Sequence, residues 1–302
     1  MMPLLIFFQG RKKEKEVKNN IKEMNKNDIS KIEQELKNNK LMVAMIAPSF
    51  VSEFNYPSII SQLKKLGFDK VTEITFGAKM INREYHKQIE NSKKLLISST
   101  CPGISEYIKK EYPQYKSNLI KVDSPMIATA KICKKIYPGH KTIFISPCNY
   151  KKLEAENSKF VDYIIDYQQL KGLFKKYKIK ENKNNEIRFD RFYNDYTKVY
   201  PLSGGLSKTA HLKGIIKKEE CGIVDGIKNV KKFLDNPNKK IRFLDITFCY
   251  GGCIGGPCLS NDLTIKQKKK KVLDYMKLTD KEPIPENRVG IIKKAKGIKF
   301  SY

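Results

Sequence analysis

Beyond residue 40 the chain alternates short apolar runs with amphipathic stretches. "LMVAMIAP" (41–48) reads as a buried strand, and "YPSIISQLKKLG" (56–67) as a helix with Pro57 near its first turn and Gly67 at its end. The pattern continues through strand-like "KVTEITFG" (70–77) and "LLISST" (95–100), helical "GISEYIKKEYP" (103–113) and "PMIATAKICKKIY" (125–137), and strand-like "KTIFISPC" (141–148). "VDYIID" (161–166) leads as a strand into helical "YQQLKGLFKKY" (167–177). An irregular connection follows over 180–200, and then a last unit of helix "GIKNVKKFLDN" (226–236), strand "IRFLDITFC" (241–249) and helix "LTIKQKKKKVLDYM" (263–276). Strands alternating with helices in this way predict an α/β fold, with two lobes of mostly parallel sheet flanked by helices.

The flanks differ in texture. Residues 1–40 form a charged helical lead-in in which Val17, Ile21, Met24, Ile32 and Leu36 fall at helical spacing, and Ser30 with Glu33 offers a capping box; its dense charge predicts a solvated helix. The body spans 41–260, with lobes of about 41–180 and 181–260, and 261–302 supplies a C-terminal helix and a basic, proline-containing tail expected to pack loosely. No internal repeat is visible.

Composition narrows the function classes. The chain has 302 residues, 40% of them hydrophobic, which is enough to bury a real core. Its formal charge is +28, but the excess is mostly lysine spread along the whole length, whereas bidentate contacts to phosphates and bases favour arginine, so nucleic-acid binding is set aside as the main function. The run "KQKKKK" (266–271) reads as a solvated helix face that could dock an acidic ferredoxin. "MMPLLIFFQG" at the start is far short of the ~20 apolar residues of a spanning helix, and no basic segment precedes it as in a signal peptide. A cytoplasmic protein is therefore expected, whose seven cysteines, an odd number, are thiols rather than a disulfide framework.

Those thiols are not scattered at random. Cys101, Cys148 and Cys249 each stand just past the carboxyl end of a predicted strand, where open α/β sheets bind ligands, and Cys253 lies four residues beyond Cys249 in "CYGGCIGGPC" (249–258). Four thiolates hold either zinc or a 4Fe–4S cluster. Cys101 and Cys148 are too isolated for the usual paired zinc spacing, and Gly251, Gly252, Gly255 and Gly256 remove bulk from the loop, which favours the larger inorganic group. Cys133 and Cys221 read as small buried hydrophobes. Cys258 has no assigned role, and His86, His140 and His211 fall in no ligand spacing.

These motifs resemble the catalytic domain of the iron-only (di-iron) hydrogenases. The resemblance covers about 41–260 and rests on "STCPG" (99–103), "SPCNYKKLEAE" (146–156) and "CYGGCIGG" (249–256), supported by "APS" (47–49), "LGFDKVTEITFGA" (66–78), "DSPM" (123–126) and "LSGGLSKTA" (202–210). It implies two lobes closing on a six-iron cofactor, the H-cluster: a 4Fe–4S cubane joined through one cysteine to a di-iron unit with carbonyl, cyanide and azadithiolate ligands. Cys101, Cys148, Cys249 and Cys253 would ligate the cubane, Cys253 as the bridge. Lys151 would donate to a cyanide; Ala47, Pro48 and Ser49 would line the second cyanide; Gly204 and Gly205 would give clearance. The implied reaction interconverts H2 with protons and electrons, with an electron carrier such as ferredoxin and with maturation factors as partners. The family's upstream ferredoxin-type cluster domains have no counterpart in this sequence.

Departures from the family pattern bear on activity. Thr100 stands where active members carry the proton-relaying cysteine, and Tyr85 and Gln88 replace acidic residues of the same route, while Ser124 and Glu154 remain. Thr247 and Ser146 occupy positions usually held by methionine. Such changes resemble the sensory, slow branch of the family. A protein carrying only a 4Fe–4S cluster, in electron transfer or cluster handling, is the alternative.

Overall fold

The computed structural model describes residues 28–182, 187–190, 197–260, 262–280, 282 and 293–302. Its elements run in the order helix α1 (28–37), β1 (Met42–Ile46), α2 (Ser58–Leu66), β2 (Lys70–Glu73), α3 (Thr75–Glu90), β3 (Leu96–Ile97), α4 (Pro102–Glu111) and α5 (Pro125–Ile136). There follow β4 (Lys141–Ser146), α6 (Tyr150–Glu156), β5 (Tyr163–Asp166), α7 (Tyr167–Lys176), α8 (Gly205–Thr209), β6 (Cys221–Asp225), α9 (Ile227–Asp235), β7 (Phe243–Thr247) and α10 (Ile265–Thr279). They form a four-stranded sheet in the order β2-β1-β4-β5 and a three-stranded sheet in the order β3-β7-β6, every strand pair parallel. The expected two-sheet α/β architecture is therefore what the chain adopts.

Strand alternation sorts the core of the larger sheet. Val43, Met45 and Phe144 face a cluster with Ile81, Tyr85, Met126 and Ile132 from α3 and α5. Met42, Ala44, Ile46, Ile143 and Ile145 face the other way, towards Ile32 of α1, Ile59 and Leu63 of α2, Leu170 of α7 and Val272 of α10. The smaller sheet buries Ile97, Leu244 and Ile246 against Ile104, Ile108, Val230 and Leu234 of α4 and α9. Gly67 closes α2 at φ +114, a left-handed conformation in which its N–H caps the last turn, as its position after the apolar face predicts.

Several expectations need correction. The stretch 70–77 is not one strand: β2 ends at Glu73 and "TFG" already belongs to α3. Only Leu96–Ile97 of "LLISST" pairs, and it pairs with β7 of the smaller sheet, so the two lobes are not the contiguous blocks 41–180 and 181–260. The lead-in is not simply solvated, because Ile32 is fully buried; Ser30 lies inside α1, so the capping box does not open it. Val17, Ile21, Met24 and the apolar run at the start fall outside the described residues. Nor is the end of the tail loose: Phe300 is buried, its carbonyl accepts the Asp123 N–H at 2.8 Å, and Ser301 bridges to Val122. Within "KQKKKK", Lys268 is buried with Nζ donating to the Ser260 carbonyl at 2.6 Å. Among the described residues no helix is long and apolar enough to cross a membrane.

Candidate metal centre

The carboxyl ends of β3, β4 and β7 carry the thiols to one place. Cys101 is the N-cap of α4, Cys148 lies two residues past β4, Cys249 two past β7, and Cys253 opens a 3-10 turn, Cys253–Gly255. The loop that holds the last two is pinned on both sides. The Cys253 N–H donates to the Pro201 carbonyl at 2.7 Å, the Cys258 N–H to the Pro147 carbonyl at 3.3 Å, and the Gly251 N–H to Asp225 Oδ2 at 2.8 Å. Glycine matters here for closeness rather than for cluster clearance. A Cβ at Gly252 (φ +79) would lie 2.6 Å from the Pro201 carbonyl oxygen, and one at Gly256 would lie 2.4 Å from that of Pro147.

All six pairs among Cys101, Cys148, Cys249 and Cys253 interact electrostatically. Burial pushes the Cys148 thiol up to about 11 and Cys249 up to about 12, with Cys101 adding to the first and Cys148 and Cys101 to the second. Burial raises Cys253 too, with Cys101, Cys148 and Cys249 reinforcing it and the Lys151 ammonium opposing. Yet among the described residues no three Cys, His, Asp or Glu side chains converge as one metal ion requires. Zinc holds sulfur about 2.3 Å from its centre and crowds its thiolates together, whereas a cubane keeps them apart. The donor set thus fits an iron–sulfur cluster better than a single ion.

Cys101, Cys148 and Cys253 border an apolar cavity of about 90 Å³, also lined by Ala47, Pro48, Met126, Phe144 and Thr100. Lys151 reaches it from α6; its Nζ donates to Glu154 Oε2 at 2.6 Å and to the Thr100 carbonyl at 3.2 Å. The other anticipated residues are elsewhere. Ser49 is buried with its hydroxyl 2.7 Å from that of Tyr167, outside the lining. Gly204 (φ +71) faces Ile223 and Gly205 lies against the Val199 and Tyr200 carbonyls; both serve the packing of α8, and Leu202 and Leu206 border the cavity instead. Ser124 caps α5, accepting the Ile127 N–H at 3.4 Å. The hydroxyls of Ser146 and Thr247 each donate to the carbonyl of the cysteine two residues on, Cys148 at 2.8 Å and Cys249 at 3.4 Å.

One cavity residue escaped the sequence reading. Asp245 of β7 is buried, lines the cavity and accepts the Ser207 N–H at 2.8 Å, and burial holds its carboxyl above the usual range. A lone aspartate inside the apolar run "FLDITF" was the available signal. Cys133, by contrast, is fully buried in α5 with its thiol raised to about 12 by burial, and behaves as the small hydrophobe expected.

The fold is that of solved [FeFe]-hydrogenases. The apo HydA1 of Chlamydomonas reinhardtii, variant C377H, superimposes with a TM-score of 0.67 at 17% identity over 85% of this chain and 89% of that one. The [FeFe]-hydrogenase structure of HydA(deltaEFG) gives 0.63 at 18% identity over 78% of this chain and 84% of that one. Iron hydrogenase 1 of Clostridium pasteurianum is 25% identical over 254 residues, covering 66% of this chain and 44% of that protein. The cytosolic Fe-S cluster assembly factor NAR1 of Encephalitozoon cuniculi is 22% identical over 218 residues, covering 64% and 59%. The chain therefore spans 44% and 59% of the length of these curated relatives. The family described as "Iron only hydrogenase large subunit, C-terminal domain" matches residues 40–257, most of the body that the cysteine loops organise, and the chain belongs to that family.

Proposed function

We propose that this chain binds an iron–sulfur cluster through Cys101, Cys148, Cys249 and Cys253, and handles hydrogen slowly at the adjoining cavity, as a sensor rather than a fast catalyst. The observation that carries the reading is four mutually interacting thiols beside an apolar cavity into which Lys151 projects. When bound, the six-iron group supplies the centre at which H2 is interconverted with protons and electrons. The chain's own residues do the rest. The four thiolates fix the cluster, and Ala47, Pro48, Met126 and Phe144 keep water from the cavity. Lys151 offers a charge-assisted donor to an anionic ligand there. Thr100 is the reason for slowness: it borders the same cavity, but a hydroxyl gives up a proton far less readily than a thiol. An acidic one-electron carrier such as ferredoxin and maturation factors complete the system.

A second reading has its own support. Similarity to NAR1 proteins, including 28% identity over 117 residues to that of Kluyveromyces lactis, which covers 35% of this chain and 25% of that protein, favours a 4Fe–4S protein of cluster assembly without a di-iron unit. Anaerobic reconstitution followed by maturation separates the two. The first expects about six irons per chain and infrared bands of metal-bound carbonyl and cyanide; the second expects about four irons and no such bands.

A further inference from the structure

Away from the thiols, α3 and the segment 293–300 enclose a pocket of about 380 Å³. Its floor is apolar: Met80, Ala295 and Phe300 are buried members of the larger sheet's core, and Ile298 packs beside them. Its rim is charged, with Arg83, Lys87, Lys293 and Lys296 against the single carboxylate of Glu84, which Lys87 already pairs at 3.4 Å. No lining residue is shared with the cavity at the thiols, so occupancy of this pocket is independent of the cluster and of hydrogen chemistry.

The wall opposite α3 is pinned in place. Lys131 Nζ donates to the Lys299 carbonyl at 2.9 Å, Lys135 Nζ to the Lys296 carbonyl at 2.5 Å, and the Asp123 N–H to the Phe300 carbonyl at 2.8 Å. Excess lysine is general to this chain, but arginine is not. Among the described residues there are three arginines, Arg83, Arg188 and Arg242. Arg188 pairs with Glu282 at 3.0 Å, and Arg242 donates to the Ser92 carbonyl at 2.6 Å and pairs with Glu220 at 3.6 Å. Only the Arg83 guanidinium has no partner among the described residues, and it is the one that lines a pocket.

A guanidinium fork without a carboxylate, flanked by lysines and set over an apolar floor, matches a phosphorylated ligand with a ring-sized apolar body. A bare inorganic anion would leave the floor uncovered, and a neutral ring would leave the cations uncompensated. We propose that this pocket binds a nucleotide carrying a di- or triphosphate. The phosphates sit at Arg83, Lys293 and Lys296, whose three positive charges Glu84 does not pair, and the base lies on Met80 and Ile298. The volume suits one such ligand.

The test is calorimetric titration of the full metal-free chain with ADP, pyrophosphate and adenosine at about 150 mM salt, where diffuse attraction to the chain's net charge is screened. ADP should bind with a Kd below about 1 mM and at least about tenfold tighter than either pyrophosphate, which lacks the ring, or adenosine, which lacks the charge. Arg83 is exposed, so Arg83→Gln should leave the fold intact while weakening ADP at least about tenfold, and Arg83→Lys should restore only part of the affinity. Lys228→Gln removes the same charge from an exposed position of α9 and should change the affinity by less than about twofold. Three results would overturn the proposal: no ADP binding up to about 1 mM, ADP binding no tighter than pyrophosphate or adenosine, or equal losses in Arg83→Gln and Lys228→Gln, which would reduce the effect to the summed field.

Discussion

Ser146 and Thr247 show how a departure from a family pattern acquires a local job. Each places a hydroxyl two residues before a cysteine of the site and turns it back onto that cysteine's carbonyl, so the loop carrying Cys148 and the loop carrying Cys249 are braced in the same way. The cysteines themselves were readable because the chemistry depends on a rare residue type falling at strand ends. Asp245 was not, since its partner, the Ser207 N–H, lies 38 positions away in sequence. Burial and neighbouring thiols raise Cys148 and Cys249, to about 11 and about 12, so both are neutral at pH 7 in the metal-free protein. Because only the thiolate attacks an alkylating reagent, iodoacetamide should label these two well below the rate of a free peptide cysteine at neutral pH, accelerating as pH rises towards those values. Peptide mass spectrometry reads the site-by-site rates, and labelling of both at the free-cysteine rate would contradict the burial argument. Cluster assembly must displace those same protons, so reconstitution should release acid and run faster at mildly alkaline pH.

Periodicity succeeded for elements whose reasons are local and failed where they are distant. α2, α5, α7 and α10 each have an amphipathic face and an end signal within the segment: the left-handed Gly67 after α2, the Ser124 cap before Pro125, and the capping boxes of Asp166 with Gln169 and Thr264 with Gln267. β3 is only two residues long and its partner, β7, comes from much later in the chain, so nothing local marks where it pairs. The start of α3 went the other way. Ile74, Thr75 and Phe76 favour strands in isolation, but the helix forms because Gly77 lets it press onto α5: a Cβ there would meet Thr129 Oγ1 at 2.2 Å and the Pro125 carbonyl oxygen at 2.6 Å. Gly77→Ala removes helix-disfavouring glycine yet overpacks this contact against backbone that cannot rotate away. It should lower stability by about 1–3 kcal/mol, measured by urea unfolding of the metal-free protein; an unchanged or higher midpoint would show that α3 and α5 can part without loss.

At the scale of the molecule, the two sheets interleave in sequence, and this decides both what was legible and how charge is tolerated. The alternation of strands and helices announced the α/β class, but no periodicity could reveal that Leu96–Ile97, embedded among elements of the larger sheet, crosses to the smaller one. The crossing sets β3 beside β7, so the loops that follow these strands carry Cys101 and Cys249 out of the same sheet, while Cys148 follows β4 of the other sheet. Over this frame the chain spreads a net charge of +28, far more lysine than the carboxylates can pair. Some lysines are matched individually, such as the buried Lys198 with Glu73 at 2.7 Å and the half-buried Lys134 with Asp162 at 2.5 Å. The remainder repel one another through solvent over distances comparable to the Debye length, about 10 Å at 0.1 M salt. The two contributions respond to salt with opposite sign, because screening weakens exposed ion pairs but relieves net self-repulsion. With so large an excess of one sign the second should prevail: raising sodium chloride from about 20 to about 200 mM should increase the Tm of the metal-free protein by a few degrees. A Tm that falls over that range would mean that exposed local pairs, not the summed field, govern its response. The same field should give weak, sequence-blind retention on nucleic acid at the lower salt that disappears at the higher, since that association is driven by counterion release.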